Sequence, residues 1–329
     1  MVDMKTVKLN SGYEMPLVGF GIWKVPVENT AQAVYDAIKL GYRHIDGAYD
    51  YTNSKQAGEG VQRAIKDGLV KREELFITSK LWNNYHKYEH AIEMAKYEVD
   101  TWGVGYLDLF LIHFPISLQY IPQSELMYPC FWPDKERTRS TPLQYTPVSE
   151  TWAALESLVK TDANPSGILR SIGVANFSSQ LVYDLWGHAK IKPAVNQIEH
   201  HPYLVQPNLV AMLQEHGIVV TAYSSFGPQS FIELGNPKCQ KVEALFTHPT
   251  VVKIAEKHKR TPAQVLLRWA TQRNIVVIPK SNSVERLSQN LDCVNFDLAD
   301  EDIKAISALD ANVRFNDPAD FTPPIRIFD

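Results

Sequence analysis

The sequence predicts an α/β protein, a closed (β/α)8 barrel running as one domain over residues 1–329. Three observations carry that prediction. Apolar strand-like runs alternate with segments of helical spacing, and strands that alternate with helices imply parallel pairing. Eight such units in a chain of 329 residues match the count and length of the closed barrel. The alternative, an open doubly wound sheet, has a dinucleotide fingerprint that fails here: GFGIWK, GEGVQR and GVGYLD each begin Gly-x-Gly, and none supplies the third glycine. A GxxxxGK[ST] loop is missing as well.

VKLNSGYEMPLVGFG reads as a hairpin turning at Ser11-Gly12. The first barrel strand, LVGFGIW, leads to the helix NTAQAVYDAIKLG, which closes on Gly41. RHID precedes the helix SKQAGEGVQRAIKDG, ending at Gly68, and ELFITSKLW precedes YEHAIEMAKYEVDTWG. The fourth strand, LDLFLIHFP, is separated from its helix VSETWAALESLVK by a long excursion. RSIGVANF is followed by SSQLVYDLWGHA, and AVNQIEHH by PNLVAMLQEHG. IVVTAYSSFG reaches PTVVKIAEKHK through a second long loop, NIVVIPKSN leads into SVERLSQNL, and DEDIKAISALD adds an extra helix before the tail. The segments from about Ser117 to Tyr145, from about Phe226 to Phe246 and from about Ala311 onward lack helical periodicity. Long loops in compact domains are usually functional or disordered. These carry Phe131, Trp132, Phe231, Phe315 and Phe321, so they are expected to pack, as walls of one pocket on the C-terminal face of the barrel.

Composition narrows the partners. A net charge of −4 and a pI of about 6.2 give no basic footprint for nucleic acid and no polybasic membrane patch. YLDLFLIHF, the longest apolar run, is too short to span a bilayer, and MVDMKTVKLN lacks the apolar core of a signal peptide. Cys130, Cys239 and Cys293 are widely spaced and form no CxxC, which fits small core residues in a reduced, cytoplasmic setting. Asn176-Phe177-Ser178 matches a glycosylation sequon and is read as chance in that setting.

The chemistry concentrates where strands end. Asp46, Tyr51, Lys80 and His113 follow the second, third and fourth barrel strands, so the topology brings them to one face. An ammonium beside a phenol favours the phenolate, so Lys80 is expected to lower the pKa of Tyr51, with Asp46 holding Lys80 charged and oriented. His113 is placed to orient a carbonyl oxygen. Together they form a general acid suited to reducing a carbonyl, and the hydride must come from a cofactor. Taken singly, each has a plainer role: Asp46 and Lys80 as a structural ion pair, Tyr51 in packing, His113 in the core. His200-His201 and Glu199 suggest a metal-dependent hydrolase instead, but adjacent histidines on a strand point to opposite faces and chelate poorly, so no metal is expected.

MPLVGFGIWKVP, GYRHIDGAYDYTN, VKREELFITSKLWNNYH, LDLFLIHFPI, EHHPYL, TAYSSFGPQSF, TPAQVLLRWATQRNIVVIPKSN and RFNDP carry a resemblance that covers essentially the whole chain. With these blocks the chain resembles the aldo-keto reductase superfamily and, within it, the fungal aldose reductases that act on D-xylose. The resemblance implies that Tyr51 is the acid, Lys80 and Asp46 its tuning pair, and His113 the carbonyl-orienting residue. It implies that Asn176 and Gln197 hold the nicotinamide carboxamide and that Tyr223 stacks on the ring. The run Ser224, Ser225, Phe226, Gly227, Pro228, Gln229 and Ser230, with Glu233, would cross the pyrophosphate and reach the adenosine ribose. Lys280, Ser281, Asn282, Arg286, Gln289 and Asn290 would grip the adenosine end. The residues add a warrant there: PKSNSVER sets two cations with hydroxyl and amide donors at a helix N-terminus, which suits a phosphate. With the family pattern that phosphate is the 2′-phosphate of NADPH. Some members accept NADH as well, and Glu233 is the type of residue that accepts a free ribose hydroxyl. For an open-chain sugar the resemblance points to Trp23 and Phe114 as an apolar wall and to Asp50, His113 and Asn316 as polar partners.

The implied reaction is reduction of D-xylose, or a similar pentose such as L-arabinose, to its alditol by a monomer or homodimer. A broad-range aldehyde reductase and a nucleotide-sensing subunit are the alternatives. The chain departs from the family in having Ala175 before Asn176 where serine is usual, and Asn312 in place of a tail glycine. KTDANPSGILR is a few residues longer than usual, on the face away from the site. Tyr49 stands where a small residue or cysteine is expected, near the pocket.

Overall fold

Alternation along the strands decides the architecture. The computed structural model describes residues 5–125, 131–134, 136, 138–320 and 323–328, so Cys130 and Phe321 lie outside the described residues. The chain opens with the expected hairpin, β1 (Thr6–Lys8) against β2 (Glu14–Pro16), with Val7 opposite Met15. Eight parallel strands follow: β3 (Phe20–Gly21), β4 (His44–Asp46), β5 (Phe76–Leu81), β6 (Leu107–Ile112), β7 (Leu169–Ala175), β8 (Val195–Glu199), β9 (Val219–Tyr223) and β10 (Val276–Val277). Each pairs with the next. The ends also meet, because Val277 bridges Val18 in parallel, donates to the Leu17 carbonyl at 2.9 Å and accepts from the Gly19 amide at 2.8 Å. The sheet therefore closes into the expected (β/α)8 barrel.

Successive side chains on a strand face opposite ways. Leu109, Leu111, Val195, Val219 and Val276 pack together with Leu9, Met15 and Leu17, a barrel interior stoppered by the hairpin region. Phe110, Ile112, Ile172, Val174, Val220 and Ala222 take the other phase and pack in the larger core beneath the helices.

Those helices are α1 (Val27–Leu40), α2 (Ser54–Lys66), α3 (Tyr88–Trp102), α4 (Val148–Glu156), α5 (Ser179–His188), α6 (Pro207–Glu215), α7 (Pro249–His258), α8 (Pro262–Thr271), α9 (Val284–Leu291) and α10 (Asp300–Ser307). Gly41 ends α1 at φ 113°, in the left-handed region where glycine carries no Cβ penalty. Two sequence expectations need correction. The element-by-element reading passes over α8, whose residues Gln264 to Thr271 are all buried. Its polar residues Gln264 and Arg268 recur at helical spacing, but the helix follows α7 with no strand between them, so a count of strand-then-helix units steps over it. Its start was readable from the capping box of Thr261 and Gln264 with Pro262 at the first position. The fourth helix stops at Glu156 rather than Lys160, and the chain turns back there: the Lys160 amide donates to the Leu169 carbonyl at 2.8 Å, and the Leu169 amide to Leu158 at 3.1 Å.

The fold buries imidazoles as well as apolar groups. Burial pushes His44 down to about 4 and His86 to about 3, and burial together with the charge of Arg273 holds His200 well below its ordinary value. Unfolded histidines protonate near 6.5, so the stability these neutral rings contribute is complete above that pH and is lost as pH falls through their folded values. For His44 alone the full loss is on the order of 3 kcal/mol. Glu98, which burial raises to about 7, and Asp108, also raised by burial, oppose this, but they are two groups against three. The urea midpoint is expected to fall steadily from pH 7 to pH 4.5; a constant midpoint would contradict neutral burial of these rings.

Candidate active site

The inward phase of the strands turns polar at their C-terminal ends. His44 and Asp46 share that phase on β4, Thr78 and Lys80 on β5, Gln197 and Glu199 on β8, and Thr221 and Tyr223 on β9. The Lys80 ammonium is fully buried and donates to Asp46 Oδ1 at 2.8 Å, to the Gly47 carbonyl at 2.8 Å and to the Tyr51 hydroxyl at 3.2 Å. Tyr51 closes a short 3-10 turn, Tyr49–Tyr51, between β4 and α2. Gln197 donates to the second Asp46 oxygen at 2.8 Å. Asn176 donates to the His113 carbonyl at 2.8 Å and accepts from the Tyr223 hydroxyl at 2.7 Å, which in turn accepts from Asn316 at 3.2 Å. His113 Nδ1 lies 3.0 Å from Asp50 Oδ1, a close contact without hydrogen-bond alignment. Its ring stacks on Phe114 at 5.1 Å and stands edge-on to Trp82 at 5.3 Å.

The expected lowering of the Tyr51 pKa is not what this geometry produces. Burial, then the negative charges of Asp46 and Asp50, hold the phenol well above its ordinary value. Lys80 is already matched by Asp46 and shared with the Gly47 carbonyl, so little of its field is left for the phenol. Tyr51 is therefore a neutral hydroxyl beside an ammonium.

A cleft of about 710 Å³ opens above this cluster. Asp46, Tyr51 and His113 line it, and Lys80 lies buried beneath. Trp23, Asp50, Phe114 and Asn316 line it as expected, and Phe131 and Trp132 wall it, both buried. Asn176, Gln197, Tyr223, Ser224, Ser225, Phe226, Gln229, Ser230 and Glu233 continue along it. Gly227 and Pro228 do not. Both are buried; a Cβ on Gly227 would meet Leu245 at 2.9 Å, and the Pro228 carbonyl faces Cys239. They shape the loop from behind. Tyr49 is also absent from the cleft wall, its hydroxyl 3.3 Å from that of Tyr85 and its ring against Tyr85 and Tyr97.

The far end holds Lys280, Ser281, Asn282, Arg286, Gln289 and Asn290, all lining the cleft. Arg286 Nε donates to Ser281 Oγ at 3.2 Å, and Ser283 caps α9. Burial lowers the Lys280 pKa, and the nearby charges of Lys24 and Arg286 add to that, with Glu233 opposing. Crowded cations with hydroxyl and amide donors at a helix start fit an anionic group such as a nucleotide phosphate.

Sequence reasoning missed Lys24, which reaches across the cleft to the Glu233 carboxylate and the Ser230 carbonyl. Nothing local marks it beyond its place after Trp23 at a strand end. Lys24, Asn176 and Ser224 all line the cleft at positive φ, and non-glycine residues hold that conformation only where surroundings impose it. The tail is tied down by Glu199, buried, which accepts from the Phe315 amide at 2.8 Å and the Asn316 amide at 2.9 Å and contacts His201 at 2.9 Å. His200 stacks on Trp269 and meets Arg273, so the two histidines serve different neighbours. Asn312 has φ 52°, and asparagine is the side chain that best tolerates glycine's left-handed conformation. Ala175 is buried in the barrel interior, with a methyl where a serine would bring a hydroxyl.

Comparison with known proteins agrees with this geometry. The profile described as "Aldo/keto reductase family" matches residues 17–311. The chain is 79% identical over 324 residues to an NAD(P)H-dependent pentose reductase of Pyricularia oryzae, covering 98% of this chain and 99% of that one. It is 54% identical to the NAD(P)H-dependent D-xylose reductase I,II of Candida tropicalis, covering 96% and 95%. Among solved structures it is similar to a Bombyx mori aldo-keto reductase in complex with NADP, at TM-score 0.82, 34% identity and 98% of both chains.

Proposed function

The chain belongs to the aldo/keto reductase family, and on that premise we propose that it reduces the aldehyde of an open-chain pentose, D-xylose or a close relative, to the alditol with NADPH. The observation that carries the chemistry is the Lys80 ammonium 3.2 Å from the Tyr51 hydroxyl and 2.8 Å from Asp46. The bound nicotinamide supplies a hydride to the carbonyl carbon. Tyr51, kept neutral by its surroundings, gives its proton to the carbonyl oxygen as charge develops there. Lys80 donates a hydrogen bond to the oxygen left behind, and Asp46 holds Lys80 in place. With Nδ1 against Asp50, His113 presents Nε2 to the carbonyl oxygen. Trp23 and Phe114 flank the sugar, and Asp50 and Asn316 meet its hydroxyls.

Asn176 and Gln197 hold the carboxamide, and Tyr223 stacks on the ring. The loop from Ser224 to Ser230 with Glu233 follows the pyrophosphate, Gly227 and Pro228 acting through its shape. Lys280, Ser281, Asn282, Arg286, Gln289 and Asn290 take the adenosine and its 2′-phosphate. NADH is the second donor, with Glu233 accepting the free ribose hydroxyl. The chain works as one domain, residues 1–329, as a monomer or homodimer in the cytoplasm, without nucleic acid; its net charge of −4 supports the last point. No helix among the described residues is long and apolar enough to cross a membrane.

Purified protein assayed with D-xylose, L-arabinose and a simple aliphatic aldehyde, with each nucleotide, tests the reading. Pentose-dependent oxidation of NADPH supports it. Nucleotide binding without turnover points to the sensing subunit, and turnover of the simple aldehyde alone points to a broad-range reductase.

A further inference from the structure

Behind the cleft, on the helix side of the sheet, lies a buried carboxylate that the proposed reaction does not use. Glu98 of α3 is fully buried. Its Oε2 accepts from Ser79 Oγ at 2.5 Å, Ser54 Oγ at 3.0 Å and Trp102 Nε1 at 3.3 Å, while Oε1 has no hydrogen-bond partner among the described residues. A half-satisfied acid is a costly way to fill a core. Each of its three donors, however, adjoins one part of the site. Ser79 precedes Lys80 on β5 and takes the opposite phase, so its hold on α3 fixes the strand from behind. Ser54 is the first residue of α2, just after the turn that carries Tyr51. Trp102 packs on Gly47, where an added Cβ would meet its ring at 2.6 Å, and the Gly47 carbonyl is one of the acceptors of the Lys80 ammonium.

We propose that Glu98 is a positioning residue: its carboxylate ties the Tyr51 turn, the Lys80 strand and the Gly47 backbone together and thereby sets the 3.2 Å separation of Lys80 and Tyr51. The inference rests on the reading of Tyr51 as the acid. Misplacement of reacting groups by about 1 Å costs up to ~100-fold in rate.

Glu98→Leu removes all three acceptor contacts, whereas Glu98→Gln keeps one carbonyl oxygen for the same donors. The Leu variant is expected to lose roughly 10-fold in kcat for pentose reduction. Its NADPH affinity stays unchanged, and the alkaline limb of its kcat profile, which reports Tyr51, is displaced. The Gln variant restores both kcat and the limb. A folded Leu variant with wild-type kcat and profile overturns the proposal. So does a kcat loss that merely follows the unfolded fraction while the profile stays put. Where the Leu variant fails to fold, Ser79→Ala carries the test, with the same displacement expected at smaller size and an unmoved profile overturning it. Tyr51→Phe separates the two levels. If it is inactive while Glu98→Leu is normal, only the positioning role fails; if it is active, the underlying reading fails.

Discussion

Tyr51→Phe is expected to lower kcat for pentose reduction by roughly 100- to 10,000-fold, the range supplied by a positioned general acid. NADPH affinity, measured by fluorescence titration, is expected to stay within about twofold of wild type, on the view that the hydroxyl serves proton transfer and not nucleotide contact. The substitution isolates one atom. Lys80 keeps its two stronger partners, Asp46 and the Gly47 carbonyl, so no buried charge is orphaned and stability changes little. Lys80→Met lacks that cleanness, because it strands Asp46 as an uncompensated buried carboxylate, a loss of about 3–5 kcal/mol. The pH dependence follows from the same geometry. Burial and the charges of Asp46 and Asp50 hold the phenol protonated well past neutrality, so the rate of reduction is expected to be flat through neutral pH and to fall only in the alkaline range. Near-wild-type turnover by Tyr51→Phe would mean that the proton comes from elsewhere.

The barrel and its site were legible to different depths. Asp46, Lys80 and His113 stand at the ends of apolar strand runs, and a parallel barrel sends all such ends to one face, so their convergence followed from counting units. The tail and the two long loops were readable as walls because Phe131, Trp132, Phe231 and Phe315 are too apolar to stay in water, and all are buried. Other features depend on tertiary facts that no local pattern encodes. The polar side of α8 is buried, with Gln264 and Arg268 donating to Asp292 and Asp297. The direction of the Tyr51 shift turns on how far Lys80 is already spent on Asp46, a balance of distances rather than of residue types. The outward turn of Gly227 and Pro228, the swing of Tyr49 toward Tyr85, and the role of Glu98 all rest on neighbours distant in sequence. The run YEHAIEMAKYEVDTW puts Glu98, alone of its three glutamates, on the face of Ala91, Met94, Ala95 and Trp102, but does not say that Ser79 and Ser54 meet it there.

The second large effect concerns the choice of nucleotide. Arg286→Ala is expected to raise KM for NADPH by roughly 10- to 100-fold, the equivalent of one or two lost hydrogen bonds to a charged group. KM for NADH is expected to move by no more than about twofold. The asymmetry follows from what the cleft offers at this end. Arg286 sits in the first turn of α9, its Nε directed to Ser281 Oγ, close enough to Lys280 to disfavour the charge of that ammonium. Such crowding is relieved by an anion, and a 2′-phosphate supplies one where a ribose hydroxyl does not. Removing Arg286 takes away the guanidinium but leaves Lys280, Asn282 and the α9 terminus, so NADPH binding is weakened rather than abolished. Glu233 bears on the other nucleotide. It is held charged by Lys24 and lines the same cleft, where it can accept from a ribose hydroxyl. Equal changes in both Michaelis constants would mean that Arg286 contacts a part common to the two nucleotides, and the phosphate would have to be sought elsewhere along the cleft.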